Sequence, residues 1–120
     1  MRGARNDHEA QLAARQVASS QLVQCSLYGK DPYWGRIVSE LGVSGAMFDP
    51  EAVEVAYDSV TVCRNGIAAE IDQSQAEALW ATMQARDITI SCDLHNGNGE
   101  ATMLFTDLTH AYVDENMGTS

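Results

Sequence analysis

Behind Asn6 and Asp7, either of which suits an N-cap, and the early acids Asp7 and Glu9, the apolar residues Ala10, Ala13, Ala14 and Val17 recur at i, i+3, i+4 and i+7. This predicts a helix of about four turns, ending near Ser19 and Ser20. The apolar run over residues 22–28 reads as a short strand closed by Gly29. Asp31-Pro32 then makes a turn that starts a helix from Tyr33 to about Leu41, stopped by Gly42 and Gly45. After a second turn at Phe48-Asp49-Pro50, Val53, Val55 and Tyr57 alternate as one face of a strand. The strands over 60–63 and 67–69 flank Arg64-Asn65-Gly66, and an Asn-Gly pair accepts the positive φ angles that a tight hairpin imposes.

Farther on, Asp72 or Ser74 caps a helix with Ala76, Leu79, Trp80 and Met83 on one stripe and Arg86 near its negative end; that stripe predicts packing on a sheet. Ile88, Ile90, Cys92 and Leu94 alternate with polar residues, and beyond His95-Asn96-Gly97-Asn98-Gly99 a strand from Ala101 to Thr106 or Leu108 is expected to return antiparallel. Thr109 to Val113 extends this as a short helix, and the last residues read as an unanchored end. No repeat or linker divides the chain. The expectation is an α+β single domain over residues 1–120, a mostly antiparallel or mixed sheet with two to three helices packed on it.

Length and composition narrow the class. The 120 residues suit one core, and 45% hydrophobic with 20% charged residues exclude a disordered tail. No apolar run approaches the roughly 20 residues of a membrane span. Met1 to Arg5 is basic but meets Asn6-Asp7-His8-Glu9 without the apolar stretch of a secretory signal, so the chain is expected to stay in the cytoplasm. Seventeen acids against seven bases give a net charge of −10, which repels a phosphate backbone and argues against nucleic acid as partner. Cys25, Cys63 and Cys92 are odd in number, far apart and set among apolar neighbours, as expected of buried thiols in a reducing compartment.

Candidate chemistry is sparse. His8, His95 and His110 fall in different elements without Cys-x-x-Cys or comparable ligand spacing, so no metal is expected. The glycine-rich 95–99 segment opens no helix and reads as a turn, not a phosphate cradle. Asp107-Leu108-Thr109-His110 brings together a carboxylate, a hydroxyl and an imidazole, yet Asp or Thr capping a following helix explains it. The acids Glu51, Glu54, Asp114 and Glu115 read as solvated charge. Gly29-Lys30-Asp31-Pro32-Tyr33-Trp34-Gly35-Arg36 has two readings. Structurally, Asp31 caps, Pro32 sets φ, Trp34 fills core or an interface and Gly35 allows close approach; functionally, the loop frames a pocket.

Ser20-Gln21-Leu22-Val23-Gln24 with Gly29-Lys30-Asp31-Pro32-Tyr33-Trp34-Gly35-Arg36-Ile37 resembles the SPLVK…GxDPNWGR stretch of the bifunctional ornithine acetyltransferase/glutamate N-acetyltransferase family of arginine biosynthesis. Gly3-Ala4, Phe48-Asp49-Pro50, Arg64-Asn65-Gly66, the 93–102 segment (similar to DLGRGDGSAT), Asp107-Leu108-Thr109-His110 and Tyr112-Val113 follow in the family's order. Tyr33 stands where the family has asparagine, Asn98 where it has aspartate and Glu100 where it has serine.

The resemblance implies the C-terminal part of the family's β chain, in a supporting role. It places the acetyl-carrying N-terminal threonine, freed by self-cleavage at an ATML-type motif, on a segment before Met1, together with the oxyanion threonines and a substrate-contacting glutamate. No organic cofactor is implied, because the threonine carries the acetyl group from N-acetylornithine, or from acetyl-CoA, to glutamate. Ala101-Thr102-Met103-Leu104 spells the same letters but is read as the continuation of a strand, not a processing site. Of the family's substrate contacts, the resemblance assigns Asn116 and, at the terminal hydroxyl, Ser120 or Thr119; no catalytic or metal residue is assigned. An amide at Asn116 suits an amino acid's carboxylate and amine, whereas asparagine also commonly ends helices. The implied partner is the upstream catalytic segment, packed against the apolar sheet and the Trp34 loop, and a hetero-oligomer is an arrangement that the resemblance allows. A stand-alone interaction domain or fragment, and a paralogue in a related acyltransferase or amidohydrolase pathway, are the alternatives.

Overall fold

A computed structural model describes residues 1–106. The helix α1 spans Asp7–Ala18, with Asn6 as N-cap accepting from the Glu9 N–H, and it buries Ala10, Ala13, Ala14 and Val17 as the spacing requires. The 22–28 run is not a strand. It forms the helix α2, Gln21–Tyr28, capped by the Ser20 hydroxyl, which accepts from the Val23 N–H. A short apolar run has no period of its own, and here Val23, with Leu27 at i+4, supplies the inward face. The helix α3, Trp34–Gly42, turns Ile37 and Leu41 into the core. Glu40 ties the three together, accepting from Gln16 Nε2 (2.7 Å) on α1 and from the Ser20 hydroxyl (3.2 Å) at the start of α2.

A 3-10 turn at Pro50–Ala52 leads into β1, Glu54–Tyr57, then β2, Val60–Arg64, and β3, Ile67–Ala68. The predicted Asn-Gly hairpin forms: Asn65 and Gly66 take φ of 55° and 76°, and Arg64 pairs with Ile67 across the two-residue turn. Gly66 is required twice, since a Cβ there would also stand 2.3 Å from the Pro50 carbonyl oxygen. The helix α4, Gln73–Gln84, follows, and β4, Ile90–Asp93, completes an antiparallel sheet in the order β3-β2-β1-β4. The α+β expectation holds, with four helices and four strands among the described residues.

Three further features depart from the simplest pattern. First, β2 carries a bulge. Val55 pairs with Cys63 but Ala56 with Thr61, so Val62 is the extra residue and both Val62 and Cys63 are buried, breaking the simple alternation. Second, on α4 only Met83 is buried, with Leu79 packed beside it, whereas Trp80 is 69% exposed and lies outside the packed stripe.

Third, residues 101–106 form no strand. The outer edge of β4 is already occupied by the N-terminal segment: Arg2 N–H donates to the Cys92 carbonyl and Leu94 N–H to that of Arg2, a parallel bridge. The returning chain therefore meets this strap instead of β4, Gly99 exchanging bonds with Ala4 and Ala101 with Met1. The core is one cluster running from Ala10 and Val17 through Val23, Ile37 and Leu41 to Val53, Val55 and Tyr57, where α1, α2 and α3 meet the sheet.

Candidate functional site

The 29–36 loop is built chiefly to end one helix and begin another. Asp31 N–H reaches the Ser26 carbonyl and Lys30 N–H that of Leu27, the paired bonds of a Schellman closure, with Lys30 taking the left-handed position at φ 58° that glycine usually fills. Asp31 does not cap α3; Tyr33 stands at the N-cap without a side-chain bond, and its ring lies 3.3 Å from where a Cβ on Gly35 would be. Trp34 packs partly buried against the core, so it is a wall of the domain and not an exposed contact. Asp31 also acts on the buried Tyr57, whose phenol is pushed upward first by burial and then by the charges of Cys92 and Asp31. The structural reading of this loop is the one that the geometry follows.

The cysteines differ from one another. Cys25 is exposed on α2, contrary to the expectation of three buried thiols, because the helix turns it outward where a strand would not have. Cys63 and Cys92 are buried; burial raises both thiols and pushes Cys92 up to about 12, so neither is a ready nucleophile. Among the described residues no three His, Cys, Asp or Glu side chains converge as metal ligands.

Beside α1, a cleft of about 280 Å³ is lined by Ala14, Val17, Ile90 and Phe105 together with Thr89 and Ser91. Thr102 is on its wall, exposed and in no strand, so strand continuity does not account for the Ala101-Thr102-Met103-Leu104 letters; yet no residue from 101 to 104 has a positive φ. Asn116, Thr119 and Ser120, assigned to substrate, lie outside the described residues, as do Asp107, Thr109, His110, Asp114 and Glu115. The buried charged residue among those described is Glu9, which the sequence shows only as an early helix acid. It is 4% exposed and held by Arg5 Nε, at i, i+4 spacing, at 2.6 Å and by the Met47 N–H at 2.7 Å.

Comparison with known proteins resolves the family. The model of the ArgJ family matches residues 1–118. The chain belongs to the ArgJ family. Among curated relatives, the arginine biosynthesis bifunctional protein ArgJ of Nitratidesulfovibrio vulgaris is 42% identical over 114 residues, covering 95% of this chain and 28% of its own length. The protein of the same name from Mycobacterium bovis is 38% identical over 122 residues, covering 98% and 28%. A crystal structure of arginine biosynthesis bifunctional protein argJ from Bacillus halodurans superposes with a TM-score of 0.86 at 34% identity, over 98% of this chain and 54% of that one. The chain thus spans little more than a quarter of the length of these curated ArgJ relatives and about half of the solved chain. It corresponds to a segment of an ArgJ protein. No helix of its described residues is long and apolar enough to cross a membrane.

Proposed function

We propose that this segment, folded as one domain over residues 1–120, serves as a non-catalytic wall of an ornithine acetyltransferase/glutamate N-acetyltransferase. The observation that carries this is the mismatch of coverage: family likeness runs through nearly the whole chain, yet most of the relatives' length has no counterpart in it. The acetyl group passes from N-acetylornithine, or from acetyl-CoA, to glutamate on a threonine of the remaining length. Burial raises the thiols of Cys63 and Cys92 and disfavours either of them as an acetyl carrier. In the assembled cytoplasmic enzyme Asn116 and Ser120 contact the amino-acid substrate. The rest of the enzyme packs on this domain, and Trp80 and Ile67, both about two-thirds exposed, are apolar surface suited to such a contact.

The test is to incubate the purified chain with N-acetylornithine and glutamate, alone and mixed with the separately expressed remainder of a full-length relative. The expected result is turnover only in the mixture; turnover by the chain alone would overturn the supporting role. In the active mixture Asn116→Ala should raise KM for the amino acid or lower kcat, and unchanged kinetics would remove Asn116 from the site.

A further inference from the structure

The strap and the 95–99 loop flank a second, open recess, away from the cleft beside α1. Its floor is backbone: Gly3, at φ 72°, leaves no room for a Cβ beside Asp93 Oδ1 and the His95 N–H, and Gly97 lies as close to the Ala4 carbonyl. Around this floor stand Arg2, Asp93, His95, Asn98 and Glu100, lining a volume of about 260 Å³. That is ample for a molecule of a few heavy atoms and below the usual range of drug-sized pockets.

The internal bonds use only part of this polar equipment. Arg2 spends Nε on Asp93 Oδ2 at 3.0 Å, and Asp93 Oδ1 accepts the His95 N–H at 2.9 Å. Among the described residues the terminal nitrogens of Arg2, Nε2 of His95, the Asn98 amide and the Glu100 carboxylate have no hydrogen-bond partner. His95 also holds φ 50°, a backbone conformation that glycine adopts without strain, so a side chain is presented here at a conformational cost.

The sign of the charges decides what fits. A plain anion meets the carboxylates of Asp93 and Glu100; a plain cation meets the guanidinium of Arg2. A ligand carrying both charges a few ångströms apart satisfies both sets, its carboxylate on Arg2, His95 and Asn98 and its ammonium on Glu100. We propose that the recess between the N-terminal strap and the 95–99 loop binds a zwitterionic α-amino acid. It is a site distinct from Asn116 and Ser120, and it does not depend on acetyl transfer.

Backbone amide NMR of the 120-residue chain tests this, titrating L-glutamate and L-ornithine beside acetate and methylammonium as single-charge probes. The amino acids should shift the amides of residues 2–3 and 95–100 saturably, and the single-charge probes should not. Glu100→Gln, and separately His95→Gly, which relaxes the positive φ and so preserves folding, should each weaken binding about tenfold or more, the size expected for losing one charge-assisted contact. Absence of saturable shifts, shifts centred elsewhere, or acetate or methylammonium binding as well as the amino acids would overturn the proposal. The readout is binding, so its failure and the failure of the acetyl-transfer reading are independent.

Discussion

Glu9 is where single-residue chemistry matters most in the described chain. A buried carboxylate is costly unless it is paired and hydrogen-bonded, and Glu9 gains both from the Met47 N–H, Arg5 and the Asn6 amide. The Met47 hydrogen bond foremost, with help from Arg5, holds its pKa below the usual value against the opposing effect of burial. A carboxyl whose pKa is lower in the folded state binds fewer protons there, so its contribution is complete above the unfolded value and fades as pH falls through the folded one. Glu9→Gln should therefore lower Tm at neutral pH, with the gap closing once the pH drops below about 4.3, the ordinary glutamate value. A gap that stays constant from neutral to strongly acidic pH in thermal melts would contradict this. The Arg5–Glu9 spacing was legible in the sequence; the Met47 amide, 38 positions away, was not.

At the scale of elements, legibility followed the amount of independent local signal. The α1 helix combined a cap, early acids and a four-residue apolar stripe, and the β2–β3 turn carried Asn-Gly; both form as the residues indicate. The α2 segment offered only a short run of β-favouring apolar residues, and packing of Val23 decides for the helix, which Ser20 caps. On α4 the capping box is complete, Asp72 accepting from the Gln75 N–H at 2.7 Å and Gln75 Oε1 accepting from the Asp72 N–H at 3.0 Å. Asp72→Ala should cost about 1 kcal/mol, whereas Trp80→Gln, on the exposed side of the same helix, should stay within about 0.5 kcal/mol. Urea unfolding of both variants checks the contrast; an equal loss in the two would show that Trp80 packs after all.

For the molecule as a whole, the first four residues and the 99–101 backbone are held by the same contacts. Residues 1–4 lie between β4 and the 99–101 backbone, and a Cβ on Gly99 would stand 2.2 Å from the Asn6 carbonyl oxygen. This arrangement leaves Thr102, Met103 and Leu104 exposed beside a partly buried Ala101, so the resemblance of these four residues to a processing motif has a direct check. The purified chain should keep its full mass on prolonged incubation, because self-cleavage at a peptide bond draws on a strained turn and none of these four residues has a left-handed backbone. Fragments 1–101 and 102–120 in intact-mass spectrometry would overturn that expectation and make Thr102 a nucleophile.

The sequence by itself determined the α+β class, the caps of α1 and α4, the Asn-Gly hairpin and the family, since each depends on neighbouring residues or on motifs in order along the chain. Tertiary structure alone decided that α2 is a helix, that Val62 bulges, that Trp80 faces outward, and that the N-terminal strap takes the edge of β4 which the returning chain was expected to fill. In each case the deciding energy comes from a partner distant in sequence: burial of Val23, the Val55–Cys63 register, or Arg2 against Cys92 and Leu94. A local window of residues carries the backbone's preference but not the identity of the surface that will cover it.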